Sequence, residues 1–214
     1  MEFDVRRLAD GSLVAFHDET AAGRRTAGMT REELSEAAGY DVPRVEDVLA
    51  ALRGRTHAHI DLKEAGCEEQ VVAQADAALG RGGYVLTTLE EETVRAIKRT
   101  FPGVRVGLTL GRGLSGAPLT VWLRVRFREL FPAKRLAACG ADFVSVHQRL
   151  ARLHVLRTAE HLDMPTFVWT VDSETAAARL SRSPVLECIV TDEPERLSRM
   201  RMQMRLDIVR SERH

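Results

Sequence analysis

The stretch TFVWTVDSETAAARLSRSPVLECIVTDEPERL, residues 166–197, decides the fold class. Two apolar, β-branched runs at 166–171 and 186–191 are typical of buried strands. Each is followed by a segment with helical apolar spacing, at 173–182 and 193–208. Strands that alternate with helices of this length predict βαβ units and a parallel sheet.

The same rhythm extends back through the chain. Five further segments have the pattern of strands, at 2–6, 57–62, 84–88, 104–110 and 141–146. Helices are expected at 67–80, 90–100 and 149–162, and around 118–139 with an interruption at Pro132. Two more are expected nearer the N-terminus. One begins at a capping box formed by Thr30 and Glu33, and the other follows Pro43. A short apolar run at 13–16 follows a turn at Asp10-Gly11, and 19–29 is expected to be a loop.

Seven βα units in this order predict an α/β fold of the TIM (β/α)₈ barrel type. Such barrels have eight strands and typically about 250 residues. The chain has 214 residues and no room between its units for another strand. We therefore expect one domain over 1–214 whose first βα unit is missing at the N-terminal side.

Composition excludes several classes of protein. The chain has 44% hydrophobic and 29% charged residues, which is ordinary for a globular protein. Its 31 basic and 31 acidic residues cancel, so no overall charge attracts nucleic acid. Three scattered cysteines form neither a disulfide framework nor a zinc site. Without a signal-like start or an apolar run of about 20 residues, a cytoplasmic location and no stable membrane insertion are expected.

Two acidic residues on the first predicted strand form the first candidate site. Glu2 and Asp4 are two residues apart on a strand, so their carboxylates point the same way. Facing inward, they would repel each other unless a proton or a cation intervened, and carboxylate oxygens suit Mg²⁺ or Ca²⁺. A solvated strand with exposed acids is the alternative.

The strand at 57–62 repeats this geometry. His57, His59, Asp61 and Lys63 alternate with the apolar residues of HAHIDLK and share one face. A titratable face opposite an apolar one indicates a site, because buried charges need partners or a metal. An edge strand with one solvated face is the alternative.

Further candidates stand on loops and at strand ends. His17 can exchange a proton near neutral pH, although a lone histidine is often a surface residue. Trp169 ends one strand and can equally be barrel packing. Asp192 and Glu193 are adequately explained as the start of a helix.

In order along the chain, these motifs resemble the glycerophosphodiester phosphodiesterase family. They are EFDV at 2–5, DG at 10–11, HD at 17–18, VPRVEDVL at 42–49, IDLK at 60–63, ADFVSV at 141–146, FVWTVD at 167–172 and IVTDEPERL at 189–197. The resemblance implies a (β/α)₈ barrel enzyme that uses a divalent cation, Ca²⁺ or Mg²⁺, to hydrolyse glycerophosphodiesters to glycerol 3-phosphate and an alcohol.

The resemblance also implies a role for individual residues. Glu2, Asp4 and Asp61 match the metal-binding carboxylates, and Asp61 stands where the family usually has Glu. His17 matches an acid–base histidine. Lys63 matches the charge-stabilising lysine, which is expected to supply positive charge without blocking the metal. Substrate contacts are expected from Lys63, His59 and Trp169.

One family motif has no counterpart here, namely the His-Arg-Gly strand that carries the second catalytic histidine. Two readings remain open, an enzyme of this type or a non-catalytic barrel that binds a phosphate ligand or a partner. Without a first strand, residues 2–6 and 186–191 are expected to face each other across a gap with unpaired backbone groups; direct pairing of these two strands in a tighter seven-stranded barrel is the alternative. The gap would favour self-association.

Overall fold

The computed structural model describes residues 1–111, 113 and 118–199. The chain forms two compact units, one of Met1–Thr109 with Arg135–Asp142 and one of Leu110–Lys134 with the chain from Phe143 onward. Within the described residues, no helix combines the length and the apolar character that crossing a membrane would need.

The first unit contains a sheet of five strands in the order β2-β1-β5-β6-β7. Its strands, with a separate hairpin of β3 and β4, are β1 (Glu2–Arg7), β2 (Leu13–Ala15), β3 (Thr20–Ala21), β4 (Arg24–Arg25), β5 (Ala58–Leu62), β6 (Tyr84–Thr88) and β7 (Val106–Leu110). β1, β5, β6 and β7 are parallel, and β2 is antiparallel to β1.

The helices of this unit are close to those expected from the sequence. They are α1 (Arg31–Ala38), α2 (Val45–Leu52), α3 (Glu68–Leu79) and α4 (Glu91–Thr100). Thr30 and Glu33 form the predicted capping box at the start of α1. In β5, Ile60 and Leu62 are buried, which places the apolar face of the strand in the core as its alternation predicts.

The second unit contains a parallel sheet of three strands. Along the chain, its elements and the short helix α6 of the first unit are α5 (Leu119–Leu130), α6 (Ala133–Cys139), β8 (Phe143–His147), α7 (Gln148–Leu150), a π-helical segment (Ala151–Val155), α8 (Leu156–His161), β9 (Thr166–Trp169), α9 (Glu174–Leu180) and β10 (Leu186–Ile189). β9 pairs with both β8 and β10. Residues 194–199 are helical, and the rest of the predicted helix at 193–208 lies outside the described residues.

Two sequence expectations differ from the structure. The expected loop at 19–29 contains the β3–β4 hairpin and a 3₁₀ helix, Thr26–Gly28. Ala22 and Gly23 at its tip both have positive φ, 47° and 75°. Positive φ at both positions matches the twist of two-residue hairpins, and the residue pair Ala-Gly signals it only weakly.

The prediction that residues 2–6 have an unpaired outer edge is wrong for the second half of that strand. The chain turns back at Asp10-Gly11, and β2 pairs with β1 in the register Val5↔Ala15, Arg6↔Val14. The amide of Phe16 adds a hydrogen bond to the carbonyl of Asp4 at 3.0 Å. Three expectations stay predictions: the gap towards residues 186–191, the single domain, and the missing βα unit.

A small apolar cluster holds this hairpin in place. It packs buried side chains from the β1–β2 turn, from β2 and from the α1 region, namely Leu8, Val14, Met29, Leu34 and Val42. Phe16 packs against the same cluster. The chain that follows, which carries His17, therefore starts from a fixed position.

Candidate active site

The predicted carboxylates lie on neighbouring strands in register. β1 and β5 pair with Asp4 opposite Asp61 and with Glu2 opposite His59. Paired residues on parallel strands project to the same face. All four side chains therefore belong to one face of the first unit's sheet, as the sequence predicted.

Lys63 lies between two of these carboxylates. Its Nζ is 2.7 Å from Oδ1 of Asp4 and 2.6 Å from Oδ2 of Asp61. Burial lowers the pKa of Lys63, but Asp61 and Asp4 outweigh it and the net pKa is raised. Among the described residues, its ammonium is the only positive charge that contacts both carboxylates, and the expectation that Lys63 supplies charge without blocking a metal stays a prediction.

The pKa of Glu2, on the same face of the sheet, is also shifted. Its pKa is raised to about 7, first by burial and then by the negative charges of Asp4 and Asp61, against opposing effects of Lys63 and His17. Burial of the Glu2 carboxyl group is therefore the main reason for the shift, and the nearby carboxylates increase it. Glu2 takes up a proton near neutral pH.

Asp61 is held by hydroxyl groups from the next two strands. Thr87 donates to its Oδ1 at 2.6 Å and Thr109 to the same oxygen at 3.4 Å. Because the hydroxyl proton of Thr87 goes to Asp61, Nε2 of His59 at 2.9 Å must be the donor to Thr87. Burial lowers the pKa of His59 to about 4, so the imidazole is neutral at pH 7 and orients the carboxylate through Thr87.

Arg6 fixes the start of the loop that carries His17. Its guanidinium donates to the carbonyl oxygen of His17 from Nε at 3.2 Å and from Nη2 at 3.0 Å. Its Nη1 donates to Oε1 of Glu64 at 3.0 Å. The His17 side chain itself is exposed, and its Nδ1 lies 2.7 Å from Oδ1 of Asp18. A carboxylate on one ring nitrogen leaves Nε2 available for proton transfer.

The carboxylate oxygens of this site are suitable ligands for a divalent cation, although they are not arranged around a common point. Among the described residues, no three histidine, cysteine, aspartate or glutamate side chains are grouped closely enough to hold an ion. Glu2, Asp4 and Asp61 are nevertheless oxygen donors of the type that Mg²⁺ and Ca²⁺ prefer. The pKa of Glu2 is raised mainly by burial, and the negative charges of Asp4 and Asp61 add to this effect. The metal assignment stays a prediction.

Trp169 lies at the end of β9, in the second unit. Its ring meets the imidazole of His147 edge-on, with centroids 5.1 Å apart. Gly111 approaches both residues, and a Cβ on it would lie 2.7 Å from the Cβ of His147. The indole Nε1 is buried and has no hydrogen-bond partner among the described residues. Substrate contact by Trp169 and by His59 stays a prediction.

The chain is similar to known proteins in structure but not detectably in sequence. No protein-family model and no curated protein sequence matches the chain. A solved glycerophosphodiester phosphodiesterase from Parabacteroides distasonis superposes with a TM-score of 0.72 at 20% identity, over 95% of this chain and 84% of that one. A glycerophosphodiester phosphodiesterase from Agrobacterium tumefaciens superposes with a TM-score of 0.66 at 22% identity, over 92% of this chain and 84% of that one.

The chain has the fold of the glycerophosphodiester phosphodiesterases. This confirms the α/β barrel-type architecture that the motif order indicated. A phosphodiesterase from Oleispira antarctica, solved with the product sn-glycerol-3-phosphate, is also similar, with a TM-score of 0.67 at 16% identity over 93% of this chain and 83% of that one.

Sequence reasoning missed four residues of this site. Arg6 shares a face with Glu2 and Asp4 by simple alternation, and this signal could have found it. Glu64 follows Lys63 directly, but nothing in the sequence pairs it with Arg6. Thr87 and Thr109 are polar residues within apolar strands, and only the sheet register brings them to Asp61.

Proposed function

We propose that this protein is a metal-dependent phosphodiester hydrolase that cleaves glycerophosphodiesters to glycerol 3-phosphate and an alcohol. One observation carries the proposal: the carboxylates of Asp4 and Asp61 lie on either side of the Lys63 ammonium, on paired strands of a fold shared with solved enzymes of this activity. One of those similar structures holds sn-glycerol-3-phosphate.

Glu2, Asp4 and Asp61 would hold the divalent cation. When bound, the cation supplies positive charge to the phosphodiester oxygens and offsets the charge that grows in the transition state. The hydroxyls of Thr87 and Thr109 fix one oxygen of Asp61, which leaves its Oδ2, now paired with Lys63, as the oxygen available for exchange.

Lys63 would bind the phosphodiester anion. Its ammonium is half-buried, and a charge removed from water interacts more strongly with an anion than an exposed one does. The same charge is needed before and during the reaction, so Lys63 contributes to substrate affinity as well as to rate.

His17 would move the proton. Phosphodiester cleavage needs a proton removed from the attacking hydroxyl and one given to the leaving alkoxide. His17 is exposed next to the carboxylate cluster, and its charge lowers the pKa of Glu2. The contact with Asp18 holds the ring in one tautomer. The attacking group is either water or the substrate's own neighbouring hydroxyl, which would give a cyclic phosphate.

Trp169 would contribute a hydrogen bond to the substrate. Its buried Nε1 has no partner within the described residues, and a buried donor is costly to leave unpaired. A hydroxyl of the glycerol moiety would provide an acceptor.

Release of glycerol 3-phosphate from glycerophosphocholine tests the proposal. We expect turnover that chelator abolishes and that Ca²⁺ or Mg²⁺ restores. Asp61→Asn should remove it, whereas Glu46→Gln, at an exposed carboxylate distant in sequence, should not. Phosphorus NMR of the products distinguishes a cyclic phosphate from direct hydrolysis. Binding of glycerol 3-phosphate without any turnover would reject the enzymatic proposal in favour of a phosphate-binding protein.

A further inference from the structure

Helix α5 carries a row of large apolar side chains on its outer face. Leu119, Leu123 and Phe127 follow one another at intervals of four residues, and Phe131 continues the row at the end of the helix. Four residues advance a helix by little more than one turn, so these side chains share a face. Their exposed fractions are 70%, 53%, 65% and 53%.

The apolar surface extends beyond the helix. The ring of Phe131 packs against Phe127 at 4.9 Å and against His154 at 5.1 Å between centroids. Leu153, in the neighbouring π-helical segment, is also exposed. A shallow depression of about 600 Å³ on the same helix is lined by Trp122, Leu123 and Phe127 with three arginines. Apolar patches of this kind on a protein surface mark sites of interaction.

The charge around this row is one-sided. Helix α5 contains three basic side chains, Arg124, Arg126 and Arg128, and one acidic side chain, Glu129. Glu129 is buried, accepts a hydrogen bond from the amide of Gly111 at 2.9 Å, and pairs with Arg126. This ion pair contributes no net charge, so the basic character of the outer face comes from the exposed residues Arg124, beside Leu123, and Arg128, beside Phe127.

The positive charge of this face distinguishes between the partners that could bind it. A second copy of the chain would bring the same basic face against itself. Residues 200–214 contain four arginines against two acids, so this segment also carries the wrong sign. An anionic lipid surface matches both features, because apolar side chains enter the boundary between headgroups and acyl chains while arginines contact the lipid phosphates.

We propose that the outer face of α5, defined by Leu119, Leu123, Phe127, Phe131 and Arg124, binds anionic lipid bilayers peripherally. The helix lies along the bilayer surface and does not cross it. This inference goes beyond the proposed hydrolase activity and uses none of its residues. Its test therefore measures membrane binding alone, without substrate.

Vesicle co-sedimentation of the full chain tests the proposal. We expect binding to vesicles of phosphatidylcholine mixed with phosphatidylglycerol, and little binding to phosphatidylcholine alone. Phe127→Ser should weaken binding at least about tenfold, because a large apolar side chain no longer leaves water. Tyr40→Ser removes another exposed aromatic ring, from the first unit, and should leave binding unchanged.

The charge contribution is measured separately. Arg124→Gln should weaken binding by about fivefold and make it less sensitive to salt, whereas Arg55→Gln should not. Circular dichroism establishes that each variant is folded. Absence of binding to anionic vesicles at low ionic strength overturns the proposal, as does equal binding to neutral vesicles. A dimer that Phe127→Ser converts to monomer, without vesicle binding, also overturns it and assigns the face to a second copy.

Discussion

The guanidinium of Arg6 donates two hydrogen bonds to the carbonyl oxygen of His17, at 3.2 and 3.0 Å. Arg6 lies on β1 with Glu2 and Asp4, and it is buried. The same strand that presents the carboxylates therefore also holds the backbone of the proposed acid–base residue. Glu64 completes the arrangement by accepting from the third guanidinium nitrogen at 3.0 Å.

Arg6→Lys should lower turnover while leaving cation affinity near its original value. Lysine keeps the charge opposite Glu64 but cannot donate in a fork to one carbonyl. A catalytic group that is displaced by about 1 Å can cost about 10²-fold in rate. Steady-state kinetics should show the loss mainly in kcat. Arg7→Lys, at the exposed neighbour on the opposite face of β1, serves as the control. Equal kcat values for the two variants would show that Arg6 does not position His17.

Lys63→Met should bind Ca²⁺ or Mg²⁺ more tightly than the original protein, by roughly tenfold or more, because the substitution removes a cation that contacts Asp4 and Asp61. The same variant should bind glycerol 3-phosphate more weakly. Calorimetry measures both affinities. Lys134→Met, which removes an exposed lysine elsewhere, should change neither. Weaker cation binding in Lys63→Met would contradict competition between Lys63 and the metal.

Glu2→Gln should stabilise the metal-free protein at alkaline pH. The pKa of Glu2 is raised to about 7 from 4.5 in the unfolded chain. Its contribution to stability is therefore fully present below the lower value and is lost as the pH rises through the higher one. We expect a gain of about 1–2 kcal/mol near pH 8 after allowance for solvent screening, and little change near pH 4.

Urea unfolding in the presence of a chelator measures this effect. Glu32→Gln, at an exposed position in α1, should show no such pH dependence. The neutral His59 acts in the opposite direction, because its lowered pKa makes the protein less stable as the pH falls below 6.5. The comparison of Glu2→Gln with the original protein cancels that contribution. A gain of equal size at both pH values would contradict the raised pKa.

His17→Ala should reduce kcat by about 10²–10⁴ and change cation affinity far less, because the His17 side chain contacts Asp18 and none of the carboxylates on β1 and β5. His161→Ala, at another exposed histidine, should retain full activity. If His17→Ala kept near-full turnover, His17 would have to be regarded as a surface residue.

The local elements were largely predictable from the sequence. Apolar alternation located β5 within one residue of its observed start, and the Thr30 capping box marked the first turn of α1. Both signals arise from neighbours a few residues apart, for which period and capping chemistry are sufficient. The β3–β4 hairpin was missed because its two-residue strands are too short to show a period.

The site was predictable only as a set of residues on shared faces. Alternation placed Glu2 and Asp4 on one face of β1, and Asp61 on one face of β5 with His59 and Lys63. Their neighbours across the sheet could not be derived in this way. The contact between Thr87 and Asp61 depends on the register of β5 against β6, and a shift of one residue would turn Thr87 to the opposite face.

The sequence by itself determined the kinds of side chain available: two carboxylates at a spacing of two, a third carboxylate two residues before a lysine, and a histidine after a turn. The tertiary structure decided which of them meet. It placed Lys63 between Asp4 and Asp61 and brought Arg6 to the backbone of His17. The contacts of Lys63 with Asp4 and of Arg6 with His17 join residues 59 and 11 positions apart, so they follow from strand pairing and chain reversal, which local periodicity does not encode.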